Sequence, residues 1–435
     1  MTRNRLQIRP TSALRGTIAV PGDKSISHRY ALFGGIARGT TSVTHLSPGA
    51  DVAATIGCLR GLGVDIESTG PNAIRITGRG SRAFRQSPTP LDAMNSGTTM
   101  RLLSGILAGC PFPTTLIGDA SLSKRPMRRV IDPLTAMGAV IESSEGRAPL
   151  TIRGGSLHGI TWESPVPSAQ VKSAIMLAGL SAEGTTTVIE PMPTRDHSER
   201  AFPAFGLSSR TEQREGTRVA ISVHGGQEAI APPGLLTVPG DPSSAAVWAA
   251  AASALPGSMV ELTGVCLNPG RLGFVRALER MGASVTVEPT AEIGGESVGT
   301  IRIGHGSHRH AVIEAAEVPS LIDELPVLAA RAALGASLEV SGAEELRVKE
   351  SDRITALVTG FRALGVQADE RPDGFVIDGS RRPTGGSAEA AHDHRLVMAF
   401  TLVGLGSTDG VEIGGADVVA VSYPDFVADL TRLTA

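Results

Sequence analysis

Lys24, Ser25 and Arg29 offer an ammonium, a hydroxyl and a guanidinium group within one short segment. Residues four apart face the same side of a helix, so Ser25 and Arg29 share a face, and Lys24 lies at the predicted helix start. A cation, a hydroxyl and a fork of N–H donors arranged in this way can bind a carboxylate or a phosphate. A capped surface helix with two exposed cations is the competing interpretation.

The stretch RVKESDR at 347–353 carries a second cationic set. If the stretch is helical, Lys349 and Arg353 lie one turn apart on one face, and Glu350 lies beside Arg353. This pattern fits an intrahelical ion-pair patch. It also fits two cations that bind an anion next to a carboxyl group, Glu350, that moves a proton.

Three further stretches add polar or cationic groups. In NSGTTMR at 95–101, Gly97 would let the backbone approach a ligand closely, although a flexible capping turn explains it equally well. Arg125 precedes a proline, which favours an extended turn, but a basic loop residue is usually only solvated. The stretch HDHR at 392–395 resembles a metal cluster at first sight. We expect no metal there, because no carboxylate or cysteine partner lies at zinc-like spacing.

Three of these stretches, at 23–29, 95–101 and 392–395, belong to polar segments that open six apolar, helix-like runs. The segments begin at Asp23, Asn95, Ser168, Asp241, Ser320 and His392. Ser, Asp and Asn are normal N-caps, but capping alone would not require Lys24, Arg29, Gln170 or Arg395 beside them. A helix N-terminus carries about half a positive charge and free N–H donors. We therefore expect the six N-termini to face one another and to form an anion-binding cleft.

A six-fold internal repeat organises the chain. A turn followed by a β-branched strand recurs about every 75 residues, at Gly39, Pro113, Gly184, Gly257, Gly335 and Gly410. This period predicts six α/β units, the last cut short, each with a helix buried nearly all round. The tetrapeptide VPGD, at 20–23 and 238–241, is interpreted as two crossings between domains. The predicted first domain is residues 21–238, and the predicted second domain is residues 1–20 plus 239–435.

Composition limits the class of protein. A chain of 435 residues with 41% hydrophobic residues can form two sizeable cores. The net charge of −3 and 3% aromatic residues oppose nucleic-acid binding. The cysteines, Cys58, Cys110 and Cys266, predict buried thiols in a reducing compartment. The polar residues 1–6 lack an apolar signal core, and no run reaches the ~18 residues of a membrane span. We expect a cytoplasmic monomer whose partners are small molecules.

Taken together, the motifs resemble the 5-enolpyruvylshikimate-3-phosphate synthases of the enolpyruvyl transferase family. The matching segments occur in order over nearly the whole chain: PGDKSISHR, NSGTTMRL, GDASLSKRPM, PSAQVKSA, TRDHSER, SLIDELPVLA, RVKESDR, HDHR and SYPDF. The resemblance implies an α/β fold of two similar domains, each with three repeated units, buried parallel helices and outer sheets (an inside-out α/β barrel). It also implies transfer of the enolpyruvyl group of phosphoenolpyruvate to the 5-hydroxyl of shikimate 3-phosphate. That reaction belongs to chorismate and aromatic amino-acid biosynthesis and uses no cofactor.

The resemblance also assigns site residues. The first domain would mainly bind shikimate 3-phosphate, and the second would contribute phosphoenolpyruvate-binding and catalytic residues. Catalytic roles would fall on Asp323, Glu350 and Lys24. Residues that would hold shikimate 3-phosphate are Lys24, Ser25, Arg29, Ser168, Ala169, Gln170, Arg195, Asp323 and Lys349. Residues that would hold phosphoenolpyruvate are Lys24, Gly97, Arg125, Gln170, Arg353 and Arg395.

One departure from the family pattern concerns the inhibitor glyphosate. Many members carry a lysine where this chain has Val421, and some naturally tolerant members carry alanine where it has Gly97. Because Gly97 is kept, we expect glyphosate to bind.

Two alternatives to the predicted function remain: a UDP-N-acetylglucosamine enolpyruvyl transferase, and a non-catalytic protein that binds phosphate or nucleic acid on the same repeat. The first typically has a lysine-asparagine start and a loop cysteine, whereas this chain has Lys24-Ser25 and no cysteine in a matching polar loop.

Overall fold

The computed structural model describes residues 5–435, which fall into two compact units. The first unit comprises Gly22–Pro239 together with the short segment Glu292–Glu296. The second unit comprises 5–21, 240–291 and 297–435. Residues 1–4, part of the polar start for which we expect no signal core, lie outside the described residues.

The helices alternate with strands along the chain. They are α1 (Lys24–Ile36), α2 (Ala50–Gly61), α3 (Gly97–Leu107), α4 (Arg128–Ala136), α5 (Ala169–Gly179), α6 (His197–Ala201), α7 (Pro242–Ala254), α8 (Gly273–Arg280), α9 (Leu325–Ala333), α10 (Arg353–Ala363), α11 (His394–Gly406) and α12 (Phe426–Thr434).

The strands are short. They are β1 (Arg5–Ile8), β2 (Arg15–Ala19), β3 (Arg38–Thr44), β4 (Asp65–Gly70), β5 (Ala73–Arg79), β6 (Leu91–Asp92), β7 (Pro113–Ile117), β8 (Val140–Ser144), β9 (Arg147–Arg153), β10 (Thr161–Glu163), β11 (Thr185–Glu190), β12 (Arg210–Gln213), β13 (Val219–His224), β14 (Leu235–Thr237), β15 (Met259–Cys266), β16 (Ser284–Ile293), β17 (Glu296–Gly304), β18 (His310–Ile313), β19 (Ser337–Val340), β20 (Gln367–Arg371), β21 (Gly374–Asp378), β22 (Gly386–Glu389) and β23 (Val411–Gly414).

The six-fold repeat appears as six small sheets in the described residues. The orders in the first unit are β14-β3-β5-β4, β6-β7-β9-β8 and β10-β11-β13-β12. The orders in the second unit are β16-β17-β15-β2, β18-β19-β21-β20 and β1-β23-β22. Each sheet has the same core: a parallel pair such as β14 and β3, followed by an antiparallel neighbour such as β5. The last sheet has three strands instead of four and is completed by β1, which agrees with a final repeat cut short.

One helix of each repeat is buried on all sides, as the sequence predicts. In the second unit all residues of α7 are buried, and α7, α9 and α11 pack against one another. In the first unit α3 packs against α1 and α5. Small side chains such as Ala249 and Ala250 let these helices approach closely, while strands such as β3 alternate between exposed and buried positions. Each unit therefore has a helical interior covered by sheets.

The two VPGD segments hydrogen-bond reciprocally. Asp23 N donates to Pro239 O over 2.7 Å, and Asp241 N donates to Pro21 O over 2.8 Å. Both aspartates then cap a buried helix, because the Asp23 side chain accepts from Ile26 N and that of Asp241 from Ser243 N. The repeated tetrapeptide thus places two equivalent helix starts, one in each unit.

Glycines end the outer helices in register with the repeat. At Gly63 the backbone φ is +85°, a conformation that favours glycine and turns the chain after α2 towards β4. The corresponding glycines of the later repeats also have positive φ: Gly138, Gly206, Gly282 and Gly365. Cys58, Cys110 and Cys266 are buried. Within residues 5–435, no helix is both long and apolar enough to cross a membrane.

Candidate active site

The start of α1 presents Lys24 beside an acidic partner. The Asp23 cap accepts from Ile26 N over 2.8 Å, which fixes the first turn of α1. Lys24 Nζ lies 3.0 Å from Asp51 Oδ2 of α2, and the lysine side chain is 23% exposed. Ser25, the next residue of α1, is half-buried. A partly exposed ammonium at a helix N-terminus can exchange its carboxylate partner for a bound anion.

Arg29 lies beneath Ser25 and is almost fully buried. Its Nη1 donates to Ser25 O over 2.9 Å, its Nε to Ser198 Oγ over 2.8 Å, and its Nη2 to Ser173 Oγ over 2.9 Å. Burial lowers the pKa of Arg29, Glu199 opposes this, and the positive charge of Arg195 lowers it further. Arg29 and Arg195 therefore lie close enough to interact, and an anion near both would be stabilised.

Gln170 connects α5 to α3. Gln170 Oε1 accepts from Arg101 Nη1 over 2.6 Å, and its Nε2 donates to Thr98 Oγ1 over 2.9 Å. Ser168 caps α5 by accepting from Val171 N over 3.4 Å, and Ala169 is the first residue of that helix. The motifs alone predict no role for Arg101 or Thr98, although both lie within the NSGTTMR stretch.

Arg125 reaches the start of α3. Its Nη2 donates to Asn95 Oδ1 over 2.7 Å, while its buried Nε atom has no hydrogen-bond partner among the described residues. A Cβ atom added at Gly97 would lie 3.6 Å from Arg125 Nη1 and 2.7 Å from Arg101 Nη1. The backbone at Gly97 thus lies beside two guanidinium groups, with no side chain between them.

A buried chain of hydroxyl groups joins the first three helices, which sequence reasoning missed. His28 Nδ1 is 2.7 Å from Thr55 Oγ1, which is 2.7 Å from Thr99 Oγ1, and Thr99 Oγ1 donates to the Ser96 cap over 2.8 Å. Burial lowers the pKa of His28 to about 3. A neutral imidazole therefore helps to fix the N-terminus of α3.

In the second unit, Arg353 is surrounded by carboxylates. Its Nε donates to Asp393 Oδ2 over 2.8 Å, its Nη2 to Glu350 Oε2 over 2.5 Å, and its Nη1 lies 3.8 Å from Asp323 Oδ1. Burial by itself would lower the pKa of Arg353, but Asp393 and Glu350 more than offset this and raise it. Lys349 Nζ lies 3.9 Å from the same oxygen of Asp323. The structure thus brings together the predicted residues Asp323, Lys349, Glu350 and Arg353.

Two local predictions about this cluster are wrong. Lys349 and Glu350 do not lie on a helix with Arg353, because α10 begins at Arg353 and the Asp352 side chain caps it by accepting from Thr355 N. They follow a 3₁₀-helix, Glu344–Val348, instead. Likewise, no helix begins at Ser320: α9 starts at Leu325, and Asp323 lies in the preceding turn. In a turn, the side chains of consecutive residues can lie close together. In a regular helix, consecutive side chains point in different directions.

The HDHR stretch forms a cap. Asp393 accepts from Arg395 N over 2.9 Å and begins α11, whose first residue, His394, is buried. His392 is exposed and has a φ of +59°. Arg395, predicted to hold phosphoenolpyruvate, is half-buried in the first turn. In the part of the chain that the structure describes, no group of three or more His, Cys, Asp or Glu residues could hold a metal ion.

Both clusters suit polyanionic substrates, since each combines helix N-termini with lysine or arginine. A profile of EPSP synthase (3-phosphoshikimate 1-carboxyvinyltransferase) matches residues 8–430.

The chain belongs to the EPSP synthase family.

Curated relatives agree over nearly the full length. A 3-phosphoshikimate 1-carboxyvinyltransferase from Acidithiobacillus ferrooxidans is 48% identical over 429 residues, which cover 98% of this chain and 96% of the relative. The enzyme of the same name from Lactiplantibacillus plantarum is 46% identical and covered over 99% of each chain.

Solved structures agree on the fold. An EPSP synthase from Acinetobacter baumannii has a TM-score of 0.88 and 41% identity, over 99% of this chain and 98% of that one. The enolpyruvyl transferase NikO from Streptomyces tendae shares only the fold, with a TM-score of 0.77 at 17% identity over 99% of this chain and 98% of that one. The predicted α/β fold of the enolpyruvyl transferases is confirmed.

Proposed function

We propose that this EPSP synthase family member transfers the enolpyruvyl group of phosphoenolpyruvate to the 5-hydroxyl of shikimate 3-phosphate. The products are 5-enolpyruvylshikimate 3-phosphate and phosphate, and the reaction serves aromatic amino-acid biosynthesis. The observation that carries the proposal is the family match over residues 8–430, joined to the cation clusters around Lys24 and Arg353.

Shikimate 3-phosphate binds, in this proposal, mainly through the first unit. Its phosphate and carboxylate need cations and hydroxyl groups, which Lys24, Ser25, Arg29, Ser168 and Arg195 supply. The positive charge of Arg195, which lowers the pKa of Arg29, supports binding of an anion there. Ala169 and Gln170 at the start of α5, with Asp323 and Lys349 of the second unit, complete the proposed set.

Phosphoenolpyruvate binds through the guanidinium groups and the bare backbone at Gly97. Arg125 has a buried Nε atom that could donate to a ligand oxygen. Arg353 and Arg395 supply further charge in the second unit, and Lys24 and Gln170 act in the first. Val421, at the end of a 3₁₀-helix, supplies no charge where many members have a lysine.

The addition step requires one proton to be added to the methylene carbon of phosphoenolpyruvate and another to be removed from the 5-hydroxyl. Glu350 protonates the methylene carbon of phosphoenolpyruvate while the 5-hydroxyl attacks the adjacent carbon, and Asp323 accepts the hydroxyl proton. The tetrahedral ketal phosphate then expels phosphate while the Glu350 carboxylate takes a proton back from the newly formed methyl group, which leaves the enol ether. Glu350 is bonded to Arg353 over 2.5 Å, so a substrate anion that binds Arg353 would compete for this guanidinium and release the carboxyl group. Lys24 stabilises the negative charge near the reacting centre.

An assay of phosphate release tests the proposal. The purified protein is mixed with phosphoenolpyruvate and shikimate 3-phosphate, with each substrate alone, and with phosphoenolpyruvate and UDP-N-acetylglucosamine. We expect phosphate only from the first mixture. Release with the UDP-sugar would favour the sister enzyme, and no release from any mixture would favour a non-catalytic binding protein.

A further inference from the structure

The short helix α6 is fixed by three consecutive side chains, each with a buried partner. His197 Nδ1 lies 2.6 Å from Glu296 Oε1, and Glu199 Oε1 lies 2.8 Å from Lys172 Nζ. Between them, Ser198 Oγ accepts from Arg29 Nε over 2.8 Å. The two ionisable neighbours therefore determine where the Ser198 hydroxyl lies.

Lys172 is the centre of this arrangement. Its side chain is 2% exposed and pairs with Glu190 at 2.9 Å and with Glu199 at 2.8 Å. Burial alone would lower the pKa of Lys172, but Glu199 and Glu190 outweigh it, so the pKa is raised and the ammonium stays charged. Buried ion pairs seldom stabilise a fold more than apolar side chains of the same volume. The buried ion pairs of Lys172 therefore indicate a role other than stabilising the fold.

Both carboxylates hold the segment that leads into α6. Glu190 Oε1 accepts from Thr194 Oγ1 over 2.6 Å, at the start of this segment. Glu199 holds its end. The segment between these anchors carries Arg195 and Ser198.

The same lysine reaches Arg29 by a second route. Ser173 follows Lys172 on α5, donates to or accepts from Ser198 Oγ over 2.8 Å, and accepts from Arg29 Nη2 over 2.9 Å. Two serines, each adjacent to a member of the Lys172–Glu199 ion pair, thus bind two different nitrogen atoms of one guanidinium.

We propose that Lys172, Glu199 and His197 are positioning residues that hold the Arg29 guanidinium, through Ser198 and Ser173, in the orientation that binds an anionic group of shikimate 3-phosphate. This inference rests on the proposed function. The three side chains are at most 10% exposed, so they act through Arg29 and not by contact with the substrate. They restrict the conformations of the Arg29 side chain before the substrate arrives. Less conformational entropy is therefore lost when the substrate binds.

Kinetic constants of Glu199→Gln and Ser198→Ala test the inference. Glu199→Gln removes one charge facing Lys172 while Glu190 remains, and Ser198→Ala removes the acceptor of Arg29 Nε without changing any charge. We expect each to raise KM for shikimate 3-phosphate by about five- to thirtyfold, while kcat and KM for phosphoenolpyruvate change by less than about twofold. Ser104→Ala is the matched control and should leave all three constants unchanged, because within residues 5–435 the hydroxyl of this buried serine bonds only the Met100 carbonyl of its own helix.

The double variant separates positioning from a general structural effect. If both residues act through Arg29, their effects on KM for shikimate 3-phosphate overlap. The fold-increase in this KM in the double variant is then clearly smaller than the product of the two single fold-increases. Unchanged KM for this substrate in Ser198→Ala, or equal changes in both KM values, would overturn the inference. So would fully independent effects in the double variant. Wild-type protein that releases no phosphate would instead refute the proposed function itself, and Ser198→Ala keeps the test possible should Glu199→Gln fail to fold.

Discussion

Asp393 binds both the side chain of Arg353 and the N-terminus of α11. Its Oδ2 accepts from Arg353 Nε over 2.8 Å, and its Oδ1 accepts from Arg395 N over 2.9 Å. Both Asp393 and Arg353 are almost completely buried. The Asp393 carboxylate therefore orients Arg353 and caps the helix that carries Arg395. Both arginines are proposed to bind phosphoenolpyruvate.

Asp393→Asn should strongly destabilise the second unit. The amide can still cap α11, but Arg353 loses its fully buried charge partner, which costs about 3–5 kcal/mol. Urea unfolding followed by circular dichroism measures the loss. Asp369→Asn is the control, because its ion pair with Arg362 is exposed and should contribute less than about 1 kcal/mol. Equal losses of unfolding free energy in the two variants would contradict the proposed contribution of the buried Asp393–Arg353 pair.

Asp323→Ala and Glu350→Gln should mainly reduce turnover. Each removes a group that we assign to proton transfer, so kcat should fall by a factor of ~10²–10⁴. KM for phosphoenolpyruvate should change little in comparison. Steady-state kinetics measures both constants, and Glu344→Gln, which alters an exposed carboxylate in the 3₁₀-helix before Glu350, is the control. Near-normal kcat in both carboxylate variants would remove the acid–base assignment.

Arg125→Ala should mainly weaken phosphoenolpyruvate binding. The substitution removes a guanidinium whose Nη2 is held by Asn95 and whose Nε has no hydrogen-bond partner in the described part of the chain. We expect KM for phosphoenolpyruvate to rise by about tenfold or more, the effect of a lost charge-assisted hydrogen bond. The neighbouring Lys124 is exposed, so Lys124→Ala should leave this KM unchanged. An increase confined to shikimate 3-phosphate would place Arg125 in the other subsite.

Gly97→Ala should weaken glyphosate more than phosphoenolpyruvate. The new methyl group would lie 2.7 Å from Arg101 Nη1 and 3.6 Å from Arg125 Nη1. It narrows the space beside these guanidinium groups, and glyphosate, which has a longer chain between its carboxylate and its phosphorus, tolerates this less well than phosphoenolpyruvate does. The inhibition constant for glyphosate and KM for phosphoenolpyruvate are compared in both proteins. Equal inhibition constants would refute the prediction.

The buried, uncharged His28 side chain should make the free energy of unfolding fall as the pH is lowered. Burial lowers the pKa of His28 from 6.5 to about 3, and the cations Lys24 and Arg29 lower it while Asp51 raises it. As the pH falls below 6.5 the unfolded chain takes up a proton that the folded chain does not, so stability is lost between pH 6.5 and about 3. This contribution approaches ~1.4 kcal/mol per pH unit. His28→Asn should flatten the pH dependence of unfolding by that amount between pH 6 and pH 4, and an unchanged slope would show that His28 is charged in the fold.

The sequence predicts the architecture well because its signals are local and repeated. Turn glycines such as Gly63 recur in register, and alanine-rich stretches such as that of α7 can only be buried helices. The fold class follows from this repetition. The placement of β1 in the last sheet also agrees with a final repeat that lacks one strand.

The details of the site are less accessible to sequence reasoning. Residue spacing suggested a helix through Lys349 and Arg353, whereas the Asp352 cap starts α10 later. The contacts of Lys172 join residues distant in the chain, for example Glu190 and Glu199. No spacing rule links such residues, because their proximity depends on how α5, β11 and α6 pack.

Analysis of the reaction product tests the central claim most directly. The protein is incubated with equimolar shikimate 3-phosphate and phosphoenolpyruvate, and the mixture is followed by ³¹P NMR and mass spectrometry. We predict one new phosphorylated compound, an enol ether of shikimate 3-phosphate that has gained the carboxyvinyl group, formed in equal amount with inorganic phosphate. Inorganic phosphate with unchanged shikimate 3-phosphate, or no reaction of either substrate, would contradict the account.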